Sequence, residues 1–436
     1  MKYIRLCMLA LCGYAAQANA LLEIKITGFG ENALPIAIVP FGWDAKSGQA
    51  PEDIAGIVTA DLSRTGQFKP MPSDDMLEQP HSPEDIHFEN WRIGGIGHLV
   101  VGMVRPMRGN HYTVEFRLFD VYKGALGQME GHSYTVPVND LRRVGHDISD
   151  IVYKAITGER GAFSTHIAYV AATMKDGKPE YRLEVSDTDG YNARSILRSR
   201  QPIMSPSWSP DGRSLAYVSF ENRRSEIFVY SVFINQGERV AAFEGINAAP
   251  SWSPDGKSLA VTLSRGGNAD IYLLSLATKQ LTQLTRNSAI DTEPVWMPDG
   301  KSLVFTSGRG GNPQIYRLSL SGEDGERPQR LTFEGDYNAS PAVSPDGRSI
   351  AMVHRDRGNY SIALLDLKSG LFRVLTDGRL DETPSFAPNG SMLLYASQQD
   401  QKGVLAAVSI DGRTRQRLAL HEGDIREPTW APFPQE

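Results

Sequence analysis

Cysteine is almost missing from this 436-residue chain, and the two copies present, Cys7 and Cys12, both lie within the first twelve residues. The rest of the chain can form no disulfide, so its stability must come from core burial and sheet pairing. Long apolar runs are also missing. Past the N-terminal segment no stretch approaches the roughly 18 apolar residues that a membrane-spanning helix requires. There is no basic block and the net charge is −6, a poor profile for nucleic-acid binding. Gly-x-Ser-x-Gly does not occur, nor does His-Glu-x-x-His, and none of the nine histidines forms an i, i+4 pair. The glycine-rich stretches "IGGIGH" (93–98) and "GRGGN" (308–312) lack a phosphate-loop lysine. These absences weigh against a serine hydrolase, a zinc enzyme and a phosphate-binding fold, and no catalytic, cofactor-binding or metal-binding residue is assigned.

What is present begins with the first twenty residues. Lys2 and Arg5 precede an apolar run from Leu6 to Ala16, and Ala18, Asn19 and Ala20 set small residues at the −3 and −1 positions of a cleavage site. That is the build of a secretory signal peptide over residues 1–20. Leu11 stands where a lipobox before Cys12 needs a small residue.

Residues 21–160 read as a mixed α/β domain. "PIAIVPF" (35–41) is a short buried-strand run, and Ile54, Ile57, Val58 and Leu62 then share one helical face. "HLVVGMVRP" and "HYTVEFRLFDVY" flank a hairpin turn at Arg108–Asn110. A second amphipathic stripe, Leu141, Val144, Ile148, Ile151, Val152 and Ala155, ends near Gly158.

From residue 165 the chain repeats itself. "PSWSPDGRSLAYVS" starts at Pro206, and its relatives start at Pro250, Pro294, Pro341 and Pro384, with the fragment "PTWAPF" at Pro428. These prolines are spaced by 44, 44, 47, 43 and 44 residues, and a second strand follows each full motif. A period in the forties with several strands per unit is the pattern of β-propeller blades. In "SPDG" proline pre-sets φ, Asp bonds the turn backbone and Gly accepts positive φ. The second strand recurs six times, from "YRLEVSD" (181) onward, but the first copy has no proline motif before it. "PTWAPF" supplies the missing strand. The expected fold is therefore an α/β N-terminal domain followed by an all-β six-bladed β-propeller over 165–436, closed by pairing of its N- and C-terminal segments.

The motif itself builds blades, whereas the residues before each proline differ from copy to copy: "MS", "INAA", "DTE", "DYNAS", "DET" and "IRE". They should crowd the central channel as a wet, hydrogen-bonding face suited to a protein loop or a small ligand. The bland alternative is that they cap strands and satisfy backbone groups. A different class remains open beside the protein-binding one: a propeller that binds or hydrolyses a small molecule or glycan.

A signal peptide, an α/β domain ending "TGERGAFSTHIAYV" (157–170), and repeats written "PSWSPDGKSLA", "DTEPVWMPDG" and "LDETPSFAPNG" together resemble the TolB family of the Tol–Pal cell-envelope system. Val343 and Phe386 depart from the motif tryptophan, and Asn389 from its Asp. The resemblance implies a monomeric, non-enzymatic periplasmic protein that needs no cofactor. It would link the peptidoglycan-associated lipoprotein Pal to the inner-membrane protein TolA, supporting outer-membrane integrity and envelope constriction at division. For Pal it points to Asn247, Ala249, Thr292, Glu293, Asn338, Asp381, Glu382 and Thr383. For TolA it points to the start of the mature chain, Leu21, Leu22, Glu23, Ile24, Lys25, Ile26 and Thr27, whose alternation of apolar and charged residues suits strand addition. The alternative for that segment is an edge strand on its own N-terminal domain.

Overall fold

A computed structural model describes residues 25–27, 33–43, 49–321, 327–418 and 423–434. The signal peptide of residues 1–20 lies outside the described residues.

The N-terminal domain is a five-stranded sheet in the order Phe68–Pro70, Leu34–Ile38, His98–Pro106, His111–Asp120, Gln128–Pro137, with parallel pairing around Leu34–Ile38 and antiparallel hairpins beyond. Helices α1 (Ile54–Arg64) and α3 (Leu141–Thr157) cover one face, and the short α2 (Phe88–Ile93) packs with the cluster on the other. Asp53 caps α1 by accepting the Gly56 N–H, which satisfies one of the four free donors of its first turn. Gly158, at φ 81°, ends α3 in the left-handed conformation glycine adopts most readily. The apolar stripes expected of both helices enter the main core with Phe68, Val100, Phe116 and Leu118.

Six antiparallel sheets follow as blades, five of four strands and the sixth of five. Blade 1 runs outward from Asp424–Trp430 through His166–Lys175 and Lys178–Asp187 to Arg194–Ser199. The innermost strands of blades 2 to 6 are Ile203–Trp208, Asn247–Trp252, Asp291–Trp296, Tyr337–Val343 and Asp381–Phe386. The C-terminal strand thus fills the gap in blade 1, pairing Trp430 with Ile167 and Asp424 with Ala172. Ring closure covers the edge of His166–Lys175 that would otherwise stand open. The second strand of each blade, such as Ser214–Ser219 or Ser302–Ser307, is buried on both faces because neighbouring blades sandwich it. Motif tryptophans occupy the gaps between blades: Trp252 Nε1 donates to Ser207 O of blade 2 at 3.1 Å, and Trp208 Nε1 to Thr429 O of blade 1 at 3.3 Å.

The segment Lys25–Thr27 settles on the propeller rather than on the N-terminal domain. It adds antiparallel to the outer strand of blade 6, Arg415–Leu418, as Lys25 opposite Arg417 and Thr27 opposite Arg415. The same outer strand touches the other domain, since Gln416 Nε2 donates to Arg64 O of α1 at 2.6 Å.

Around the linker the domains are tied by directional bonds. Asp150 of α3 accepts the N–H groups of Phe163 and Ser164, at 2.8 and 3.1 Å. Trp430 Nε1 donates to Thr165 Oγ1 at 2.8 Å, and Arg160 lies 4.1 Å over the Phe433 ring. Asn389, the residue that departs from the motif Asp, keeps the turn bond to Ser391 N–H and donates its extra amide to Arg160 O at 3.0 Å. A carboxylate has no donor for that second bond.

Candidate partner-binding site

The motif prolines sit in the middle of the innermost strands, where a residue without an N–H has no place in a regular ladder. The strands solve this with a bulge, and they do so identically. In blade 2 the register passes from Met204 opposite Val218 to Ser207 opposite Ala216, so Ser205 and Pro206 together face one residue. The same shift falls at Ala248/Ser251, Thr292/Val295, Ala339/Ala342, Glu382/Ser385 and Arg426/Thr429. In all six the residue directly before the proline takes a left-handed backbone: Ser205 (φ 51°), Ala249 (46°), Glu293 (55°), Ser340 (51°), Thr383 (54°) and Glu427 (50°). None is glycine, and each such residue costs roughly 1 kcal/mol. Strain repeated at one position around a ring marks a place where side-chain direction matters.

The bulge turns these six residues into the central channel, where with the motif prolines they line a cavity of about 670 Å³. Pro432 and Phe433 line it at the turn end, where Pro432 packs near Gly212 of blade 2.

The three positions before each proline therefore have different fates. Three residues ahead, the side chain is buried in every blade: Ile203, Asn247, Asp291, Asn338, Asp381 and Ile425. The polar ones spend their capacity inside the propeller, on the loop that leads into the strand or on groups of neighbouring strands. Asn247 accepts from Phe243 N–H at 2.9 Å and donates to Phe243 O and Gly245 O. Asn338 donates to Gln314 Oε1 and Glu334 O and lies 2.9 Å from His354 Nδ1. Asp381 accepts from Ser397 Oγ and Gly378 N–H. So Asn247, Asn338 and Asp381, expected on a partner-binding face, are buried, and bonds to the lead-in loop and to neighbouring strands consume them.

Ala249, Glu293 and Thr383 stand directly before the prolines and line the cavity. Thr292 and Glu382, one position earlier, are half-buried. Glu293 accepts from Thr306 Oγ1 at 2.7 Å and from Ser340 N–H and Oγ of the next blade at 2.8 and 2.9 Å. Glu427 accepts the Ser205 N–H in the equivalent way. These glutamates satisfy bulged amides of the neighbouring blade. The Glu382 carboxylate has no hydrogen-bond partner among the described residues. Burial, followed by the carboxylates of Glu382 and Glu293, pushes the Glu427 carboxyl above the usual range, against the Ser205 bond and Arg426. The channel thus holds a shared negative field from three blades.

Glu427, Ser205 and Ser340 were not singled out from the sequence as site residues, although each directly precedes a motif proline as Glu293 does. On the proposed TolA segment, Lys25, Ile26 and Thr27 form the added strand, and Leu21 to Ile24 lie outside the described residues.

Among the described residues, one cluster has metal-type donor atoms within 4.8 Å of one another, His146, Asp187 and Asp189. Arg142 already holds Asp189 there, so the cluster reads as an ion-pair network. No helix among the described residues is long and apolar enough to cross a membrane.

Residues 153–434 match the TolB beta propeller domain, and residues 22–126 match the TolB amino-terminal domain. The chain is 56% identical over 433 residues to the Tol-Pal system protein TolB of Thioalkalivibrio sulfidiphilus, covering 99% of this chain and 98% of that protein. It is 55% identical to the Nitrosococcus oceani protein of the same name, over 95% of this chain and 94% of that one. A crystal structure of TolB from Acinetobacter baumannii superposes with a TM-score of 0.86 at 40% identity, covering 94% of this chain and all of that one.

Proposed function

The chain belongs to the TolB family and is a Tol-Pal system component, and from that premise we propose that it is a periplasmic, non-enzymatic adaptor between the lipoprotein Pal and the inner-membrane protein TolA. In this role it supports outer-membrane integrity and envelope constriction at cell division. The observation that carries the Pal half is the acidic channel, with its repeated bulge and three converging carboxylates. A cavity of about 670 Å³ takes a few side chains of a partner loop, and the repeated bulge holds its lining residues in one common backbone conformation. Ala249, Thr292, Glu293, Glu382 and Thr383 remain as the contact set, joined by Ser205, Ser340 and Glu427.

The TolA half rests on the added strand. Three residue pairs at an outer sheet edge are a weak mooring, and a segment so held is free to exchange onto the edge of another sheet.

Two titrations on the mature chain test the proposal. Glu382→Lys, one position behind the cavity lining, is the cleaner variant, because Glu293 also holds Ser340 and Thr306 in place. It should weaken Pal binding at least about tenfold, the effect of roughly 1.4 kcal/mol, with an unchanged melting temperature. Deletion of residues 21–27 should abolish TolA binding and spare Pal binding. Unaltered Pal affinity in the first, or retained TolA binding in the second, sinks the corresponding half.

A further inference from the structure

A line of alternating charges crosses the junction between the two domains. Arg64 pairs with Asp61, its neighbour on α1. Asp61 Oδ2 lies 2.7 Å from Nδ1 of His146 on α3, and Nε2 of the same ring lies 3.6 Å from Oδ2 of Asp189. Asp189 belongs to the turn after strand Lys178–Asp187 of blade 1 and pairs in turn with Arg142 of α3. Arg142 is anchored further by stacking 3.6 Å over the Tyr191 ring and by Asp187 and Glu52, each 3.9 Å away. The side chains of Asp61, His146 and Asp189 are 1%, 3% and 8% exposed, so water screens this line very little.

Within it three buried nitrogens have no hydrogen-bond partner: Arg64 Nε, Arg142 Nε and His146 Nε2. His146 Nε2 is buried with no hydrogen-bond partner, and its neighbour at ion-pair distance is a carboxylate. A neutral ring that donates Nδ1–H to Asp61 would aim its Nε2 lone pair at Asp189, a repulsive arrangement. A proton on Nε2 turns the same geometry into an attraction across the domain boundary. The charge count favours that proton: Asp61, Asp187, Asp189 and Glu52 face only Arg64 and Arg142, and an imidazolium narrows the excess of negative charge. A divalent cation in the same place would have to displace the Arg142 guanidinium.

We propose that His146 is a proton-operated latch, whose imidazolium ties α1 of the N-terminal domain to the first propeller blade and whose deprotonation loosens the junction. The ring is faced by Asp61 and Arg64 from α1 and by Asp187 and Asp189 from blade 1. Arg143, His166 and Arg194 line the adjoining cleft, and Arg142, Asp147 and Asp150 share its helix. Burial opposes charge on His146, but Asp61 by charge and hydrogen bond, and then Asp189, outweigh it and hold the ring above its ordinary value, with Arg64 opposing. His166 moves the other way, lowered by burial, and does not compete for the proton. With the folded value raised, the latch contributes fully below the ordinary histidine value of about 6.5 and is lost as pH rises through the raised value. The latch acts whatever partner the channel holds.

Hydrogen exchange on the mature chain tests it, reading the amides of Tyr191, Phe163 and Ser164, which bond Asp189 or Asp150 at the junction. After correction for intrinsic rates, protection should fall by up to about tenfold per pH unit between the ordinary value of about 6.5 and the ring's own titration, and level off above it, the slope of a one-proton linkage. The His146 ring should titrate above 6.5 by NMR. His146→Gln should give low, pH-independent protection, and Asp189→Asn, which leaves the helix interior intact, should flatten the profile too. A flat wild-type profile, a ring titrating below 6.5, or pH dependence surviving in His146→Gln overturns the latch. So does added zinc that restores protection at high pH, which would make the cluster a metal site.

Discussion

The innermost strand of every blade has two ends, and they use their polar groups in opposite ways. At the turn end the side chains are consumed locally. Asp211, Asp255, Asp299 and Asp346 each accept the N–H two residues on, and Gly212, Gly256, Gly300 and Gly347 take φ between 67° and 69°. At the proline end the same backbone irregularity recurs six times, but the residue it displays changes: Ser, Ala, Glu, Ser, Thr, Glu. Uniform side chains on a uniform backbone indicate structure. Variable side chains on a uniform, strained backbone indicate a display surface, because the strain is kept where no particular residue demands it.

The most severe way to break this contrast removes both ends of one blade together. Deleting residues 424–436 strips blade 1 of its inner strand, with Ile425 and Trp430, and leaves the edge of His166–Lys175 unpaired. Losing those two side chains alone costs about 2 to 3 kcal/mol each. Calorimetry should show loss of the cooperative melt, and light scattering should show association through the open edge.

A smaller test probes the structural half. Trp252 and Trp296 occupy the same motif position, yet Trp252 Nε1 has a carbonyl partner and Trp296 Nε1 has none. Trp252→Phe should therefore cost about 1 kcal/mol more than Trp296→Phe in denaturant melts. Equal costs would mean that the rings matter only as volume.

The smallest effect belongs to the display half. An acid whose folded value is raised binds its proton more tightly folded than unfolded, so stability falls as pH rises from the unfolded carboxyl value through the folded one. Glu427→Gln keeps an acceptor for Ser205 N–H and removes the charge. Its melting temperature should match wild type near pH 4 and exceed it at pH 8. A constant difference at both values would mean that Glu427 does not share the channel field.

How much of this was legible depends on the sequence distance over which each feature is decided. The blade count and the closing strand follow from counting six second strands against six displaced proline motifs. The channel position was legible as well, since a proline inside a central strand already signals a bulge. The error lay in treating the residues ahead of the proline as one face. Asn247 and Ala249 are two residues apart, and alternation would set them on the same side. The bulge breaks that alternation, so Asn247 is buried in its loop and Ala249 lines the channel.

By itself the sequence determined the period, the turns, the ring of six and the helical faces of the N-terminal domain, because each is set by residues within a few positions of one another or by simple repetition. Only the tertiary structure decided which polar groups are spent and which are offered. It brought Glu293, Glu382 and Glu427 into one field, and it seated Lys25–Thr27 on a strand near the other end of the chain. It also set His146 between Asp61, 85 residues earlier, and Asp189 on the other domain. Those contacts arise from how blades and domains close on each other, and no local pattern records them.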